Sequence, residues 1–361
     1  MLKNSKFLNL SIFIMHSLMK TITKGINMND MKKIGLTALA GSLVAFSANA
    51  AEMSVSGATM LTYTSEDTTE VTGNPFGMKT NLAFTASGEV NGMTVSYMQT
   101  SKDQFAGMSS ARLSIDMGDM GTLAFDQGSG SGLATIDDKT PTAAEEIWDG
   151  LDTDAVNGPN GLVGAAGNSG VFNYINTFGG VTFNGAARKG SGTANSDGSS
   201  SAAGGSAWDF ALTTDGSMLG IDGLALGAGY GEKETGSEAG TTPGGDDEHM
   251  TAFANYSMGP VTFGYQVSNI DKGGATAVDQ EVAAWGLAFN VNENLSVSYG
   301  ERDVTFKNPS AADVEESGEG IAIAYTMGSM KIAGNRNEVS NNDNSAGTND
   351  EMTEIAVSFA F

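Results

Sequence analysis

Beyond residue 52, apolar side chains recur at every second position, and this two-residue period constrains the fold more than any other feature of the chain. From Met53 to Tyr63 the odd positions are mostly apolar and the even ones small or polar. Leu82, Phe84, Ala86 and Val90 alternate with Asn81, Ala83, Thr85, Ser87 and Glu89, and Met93, Val95 and Tyr97 continue after the hairpin dipeptide Asn91-Gly92. Ala111, Leu113, Ile115 and Met117 alternate with Arg112, Ser114 and Asp116. The same pattern returns around residues 123–125, 172–174, 181–183, 208–212, 224–230, 252–256, 261–265, 285–289, 295–299, 321–325, 330–332 and 355–361. No stretch of comparable length there has a helical period, so the chain reads as all-β with about sixteen strands.

The connections between these strands alternate in length. Short ones are 91–92, 118–121, 179–180, 215–223, 258–260, 290–294 and 327–329; long ones are 65–77, 101–107, 127–169, 190–205, 232–247, 269–277, 307–318 and 340–350. Seven short against eight long suits an even-stranded antiparallel barrel with both termini on the short-turn side. Polarity then chooses the solvent. A barrel of about sixteen strands is too wide for side chains to fill, so an apolar interior would be an empty cavity. The alternate face is Ser, Thr, Asn, Ala and Gly with scattered charge, which suits water inside and lipid outside. The expected architecture is therefore a transmembrane antiparallel β-barrel.

Three segments are expected. Residues 31–50 read as a signal peptide: Lys32 and Lys33 are its basic start, Ile34 to Phe46 its apolar middle, and Ala48-Asn49-Ala50 its small-residue cleavage pattern, with cutting between Ala50 and Ala51. Residues 1–30 read as an upstream extension from a misplaced start, and 51–361 as the barrel. The 18 basic and 42 acidic residues give a net charge of −24, which excludes nucleic acid as a partner. With no cysteine, and only His16 and His249, thiolate zinc sites, iron–sulfur clusters and multi-histidine metal sites are excluded.

Ile355, Val357, Phe359 and Phe361 end the chain on an alternating strand with a terminal aromatic. That ending resembles the sorting and assembly signature of Gram-negative outer-membrane barrels. Residues 118–125 (GDMGTLAF) resemble the turn and strand that, in the general diffusion porins, lead into the third long loop. Residues 168–174 (NSGVFNY) resemble the strand after that loop, and residues 178–183 (FGGVTF) the turn that comes next. The chain is thus most similar to sixteen-stranded, trimeric porins of alphaproteobacterial type, and the resemblance covers residues 51–361. It implies an outer-membrane homotrimer surrounded by lipid, assembled by the barrel-assembly machinery through its last strand, and passing small hydrophilic solutes.

The resemblance also implies that the third long loop folds into the lumen. Here it spans 127–169 and carries Asp137, Asp138, Glu145, Glu146, Asp149, Asp152 and Asp154 against Lys139 alone. These carboxylates would line the constriction, facing basic groups on the wall. Strand parity turns Lys79, Arg112, Arg188, Arg302 and Lys331 inward, with Arg112 the wall residue nearest the loop. So few cations beside so many acids predict cation preference. No cofactor is expected, beyond nonspecific calcium or magnesium at the acidic loops. Asp152, Asp154 and Asn157 form only a loose calcium-loop pattern that lacks its terminal Glu.

Two other classes compete. A secreted acidic adhesin of the β-roll type would carry tandem GGxGxD repeats, and none occur. An outer-membrane hydrolase would depend on His249 beside Asp246, Asp247 and Glu248, a lone histidine that reads more simply as a loop-edge residue.

Overall fold

The computed structural model describes residues 52–66, 74–101, 107–151, 160–167, 169–190, 205–234, 245–274 and 276–361. In chain order the strands are β1 (Glu52–Glu66), β2 (Phe76–Val90), β3 (Met93–Ser101), β4 (Met108–Asp116), β5 (Thr122–Gln127), β6 (Ser169–Phe178), β7 (Val181–Arg188) and β8 (Ala207–Thr214). They continue as β9 (Leu224–Glu234), β10 (Asp246–Met258), β11 (Val261–Asp271), β12 (Asp279–Asn290), β13 (Leu295–Lys307), β14 (Val314–Met327), β15 (Met330–Ser340) and β16 (Asn349–Ala360). Each strand pairs antiparallel with its sequence neighbours, and β1 pairs with β16 from Ala58↔Ala360 to Glu66↔Met352. The barrel is closed, so no edge is left unpaired. Gly57 and Phe361 exchange two backbone hydrogen bonds of 2.9 Å beside the seam, and these tie down the terminal aromatic.

Local chemistry explains the tight turns. Asn91 (φ 52°) and Gly92 (φ 78°) are both left-handed, as a two-residue hairpin whose twist matches its strands requires. Of the seven short connections, 215–223 is the longest and holds a 3-10 turn, Ser217–Leu219.

Alternation gives the sheet two unlike faces. One carries large exposed apolar side chains, among them Leu61, Leu113, Trp208, Tyr265, Ile321 and Ile355. Toward the long-connection end this face becomes polar: Tyr299 Oη lies within hydrogen-bond reach of the carboxylates of Glu301 and Glu319, and Trp285 Nε1 donates to Glu301. Aromatic rings with their polar ends turned toward the rim are the form an interfacial girdle takes. The other face carries polar residues that are almost fully buried, including Asp126, Asp209, Gln266, Arg302, Glu316 and Asn337. Buried polar groups need partners, and the connection between β5 and β6 supplies them.

Candidate functional site

The first leg of that connection leaves β5 on a carboxylate. Asp126, fully buried, accepts the Ser129 N–H (2.8 Å) and the hydroxyls of Ser129 (2.5 Å) and Ser131 (2.6 Å). A 3-10 turn, Gly132–Thr135, comes next. Gly132 N–H donates to Asn184 Oδ1 (3.0 Å) and Leu133 N–H to Asp209 Oδ1 (3.0 Å). Leu133, Ile136 and Val163 then pack with Ala211, Phe253 and Ile270 in a small apolar cluster on the polar face. Gln266 reads the next turn of chain twice over, accepting Lys139 N–H (2.7 Å) and donating to Ile136 O (2.9 Å).

Beyond Lys139 the leg lies on glycine. Gly264, Gly286, Gly300 and Gly320 stand in one cross-strand row on β11 to β14, each opposite the next. A methyl built on Gly286 would lie 2.7 Å from Pro141 O, and one on Gly320 would lie 2.9 Å from Ile147 Cγ2. Only residues without Cβ leave room for Pro141 and Ile147 against the wall. Between them Ala143 N–H donates to Ser298 Oγ (2.8 Å), and beyond them Asn337 Nδ2 donates to Glu146 O (3.1 Å) and Asp149 O (2.9 Å).

The second leg returns along the same strands. Asn160 Nδ2 donates to Glu316 (3.2 Å), Gly161 N–H to Gln280 Oε1 (2.8 Å) and Gly164 N–H to His249 Nδ1 (3.4 Å). Ala166 N–H closes the path on Asp209 Oδ2 (2.7 Å). His249 thus serves as a hydrogen-bond acceptor for this leg.

Electrostatics divides the sequence-predicted residues into groups. Asp137 and Asp138 lie close together on the first leg, and burial pushes their carboxyls up to about 6 and about 7. For Asp138 the neighbouring Glu146 and Asp137 add to the rise, while Arg302 opposes it. Asp149 is also raised, first by burial and then by Glu145 and Glu146, against the pull of Lys79. Arg302 is buried between the legs and the wall, 4.0 Å from Glu316, with its guanidinium 4.6 Å from the centre of the Trp148 ring. Lys331 lies on the polar face near the short-turn end of β15.

Arg112 differs from the sequence expectation in its partners. It faces Asp126, its direct cross-strand neighbour, at 3.7 Å, and donates to Asn173 Oδ1 (2.5 Å) and Gly130 O (3.2 Å), with no carboxylate of the leg among these contacts. The nearest acid in register outcompetes those farther along the connection. Ala48, Ala50, Ala51, Asp152, Asp154 and Asn157 lie outside the described residues. Ile355 and Phe359 lie exposed on the apolar face, with Val357 between them in the same alternation, and Phe361 comes directly after the end of β16.

Sequence reasoning attended to acids on the connection and missed acids on the wall. Asp126, Asp209 and Glu316 hold backbone or amide N–H groups of the two legs, Gln266 and Gln280 accept backbone N–H groups likewise, and Asn337 donates to two backbone carbonyls. A signal existed: each sits at a strand position whose parity faces away from the apolar side. Among the described residues, no group of acids and histidines is arranged to hold a metal ion.

Comparison with known proteins agrees with this architecture. The family model described as Gram-negative porin matches residues 35–344. No curated protein matches the chain at a significant level. Among solved structures, an anion-selective porin from Comamonas acidovorans is similar with a TM-score of 0.61 at 13% identity, over 86% of this chain and 100% of that one. OmpT, an outer membrane protein of Vibrio cholerae, gives 0.63 at 10% identity over 86% and 98%. The outer membrane channel DcaP of Acinetobacter baumannii gives 0.61 at 13% over 86% and 97%. At these identities the likeness is one of fold.

Proposed function

We propose a cation-preferring passive pore as the function of this chain, which belongs to the Gram-negative porin family and is an outer-membrane diffusion channel. The observation that carries the finer reading is the reach of one connection. Its two legs bond to polar-face residues from β7 round to β15, and at Gly150 the first leg comes up against Met352 on β16. A single segment touches that much of a closed barrel on one face only by running inside it. On this reading the polar face encloses the lumen, and residues 128–151 and 160–167 narrow it.

Cation preference rests on what lines the narrowed space. The legs contribute Asp137, Asp138, Glu145, Glu146 and Asp149, whereas Arg302 is buried and spent on Glu316 and Trp148. Arg112 is likewise spent on Asp126. Of the predicted set, Arg188 lies beside Asp209 and Lys79 and Lys331 are the other polar-face cations, too few against the five carboxylates of the legs, which leaves a negative potential across the passage. Calcium or magnesium would collect at such carboxylates without a dedicated cage. We read the assembly as a homotrimer, in keeping with the trimer form of the Vibrio cholerae protein, and the last strand as the element that the assembly machinery recognises. No step of this function is catalytic.

Reversal potentials across a planar bilayer under a KCl gradient test the reading. The expected sign is that of potassium preference, weakening at high salt as the charges are screened. A chloride-preferring sign overturns it.

A further inference from the structure

Most wall groups hold one leg of the connection; Asp209 on β8 holds both. Its Oδ1 accepts Leu133 N–H from the first leg, and its Oδ2 accepts Ala166 N–H from the second. The carboxylate is 2% exposed, and Leu133 and Ala166 are fully buried, so water supplies neither amide with a substitute partner. By contrast, Asp126 bonds to Ser129 and Ser131 on the first leg, and Glu316 to Asn160 on the second.

The surroundings of Asp209 are shaped for this. Gly132 is left-handed (φ 59°), and a side chain there would run into Asp209 Oδ1 and come within 2.7 Å of Ala186 Cβ. Gly231 stands directly opposite Asp209 on β9, and a methyl there would come within 2.8 Å of Ala165 Cβ. Two glycines on different elements therefore clear the space in which one carboxylate meets two strands of chain. The legs also approach each other here: a methyl on Gly164 would lie 3.4 Å from Ala134 Cβ.

We propose that Asp209 is a positioning residue, the clasp that holds the roots of both legs on β8 and so fixes how far the segment projects into the lumen. The consequence for conduction rests on the channel reading above; the clasp itself does not. Two neighbouring amides tied to one charged acceptor open together when that acceptor is lost, whereas amides with separate acceptors open singly.

Hydrogen exchange on the full, detergent-solubilised barrel tests the clasp without any current. In Asp209→Ala the Leu133 and Ala166 amides are expected to exchange at least about tenfold faster, with the amides of β13 to β16 unchanged. Asp209→Asn keeps one acceptor oxygen and is expected to release one amide and spare the other. It decides the matter if the alanine variant fails to fold. Unchanged protection of both amides in a folded variant overturns the clasp.

Single-channel recording tests the consequence. Asp209→Ala is expected to raise the mean conductance and add open-channel noise. A disulfide between Ala134→Cys and Gly164→Cys, in a chain that has no other cysteine, joins the legs at close to the separation such a bond needs. In the Asp209→Ala background its oxidation should quiet the trace, and reduction should restore the noise. Faster amides with wild-type conductance and noise would overturn the aperture-setting role. A wild-type barrel that carries no current would overturn the channel reading instead, with exchange still deciding the clasp.

Discussion

Adding one methyl group to Gly286 should unseat the first leg. The inward position on β12 leaves a new Cβ 2.7 Å from Pro141 O and 3.2 Å from Pro141 N and Cδ. A carbon approaches a carbonyl oxygen to about 3.3 Å at closest, so wall and leg must part by roughly 0.6 Å. Pro141 O is a backbone atom and the new Cβ is fixed in place by its own backbone, so no side-chain rotation relieves the contact. Overpacking of this kind costs about 1–3 kcal/mol, which is about fivefold to a hundredfold or more in the opening of the leg. The Lys139 and Ala143 amides, bonded to Gln266 and Ser298 on either side of Pro141, report that opening by hydrogen exchange. Gly318→Ala on β14 is the matched control. Its new Cβ would meet only Arg302 O at 3.6 Å and Glu338 O at 3.7 Å, ordinary contacts, so loss of unfolded-state freedom should leave it neutral or about 0.4–1 kcal/mol more stable. Gly286→Val should exceed Gly286→Ala in both exchange and channel noise. Equal behaviour of Gly286→Ala and Gly318→Ala would refute the account of the glycine row as a seat.

The same geometry sets three other outcomes. Asp137 and Asp138, raised to about 6 and about 7, gain negative charge between pH 5 and 8, so cation preference should climb across that interval. Asp138→Asn should remove its upper part, and a flat reversal-potential profile would contradict this. Because burial disfavours their ionised forms, these two acids support the seated leg most below the ordinary aspartate value of 3.8 and progressively less as pH rises through 6 and 7. The Lys139 amide, corrected for intrinsic exchange, should therefore lose protection over the same window. Arg302→Met leaves Glu316, 2% exposed, without its counter-charge; the second leg should weaken by about 3–5 kcal/mol. Adding Glu316→Gln should recover most of that loss, measured by exchange at the Gly161 amide. Deleting Phe361 removes both bonds to Gly57 beside the seam; outer-membrane yield should drop several-fold, while circular dichroism of barrels refolded in detergent stays β-rich.

The barrel was legible in the sequence because its determinants are local. A two-residue period in polarity commits a segment to a strand with one greasy side, and Asn91-Gly92 commits its neighbour to fold straight back. Repeated along the chain, with long and short connections in turn, those local commitments leave little choice but a closed antiparallel ring around water. The terminal alternation through Phe361 was readable for the same reason. What no window of sequence contains is register. Gly264, Gly286, Gly300 and Gly320 are scattered among many glycines of the chain and become one row only when four strands align. Asp209, unremarked among the acids, becomes the shared partner of Leu133 and Ala166 only once β8 stands beside both legs. Arg112 answers to Asp126 through its pairing across β4 and β5, whatever acids come later in the chain. Period and turn chemistry act over a few residues and so determined the wall. The seating of the segment against it depends on groups up to about two hundred residues apart, and only the closed barrel brings them together.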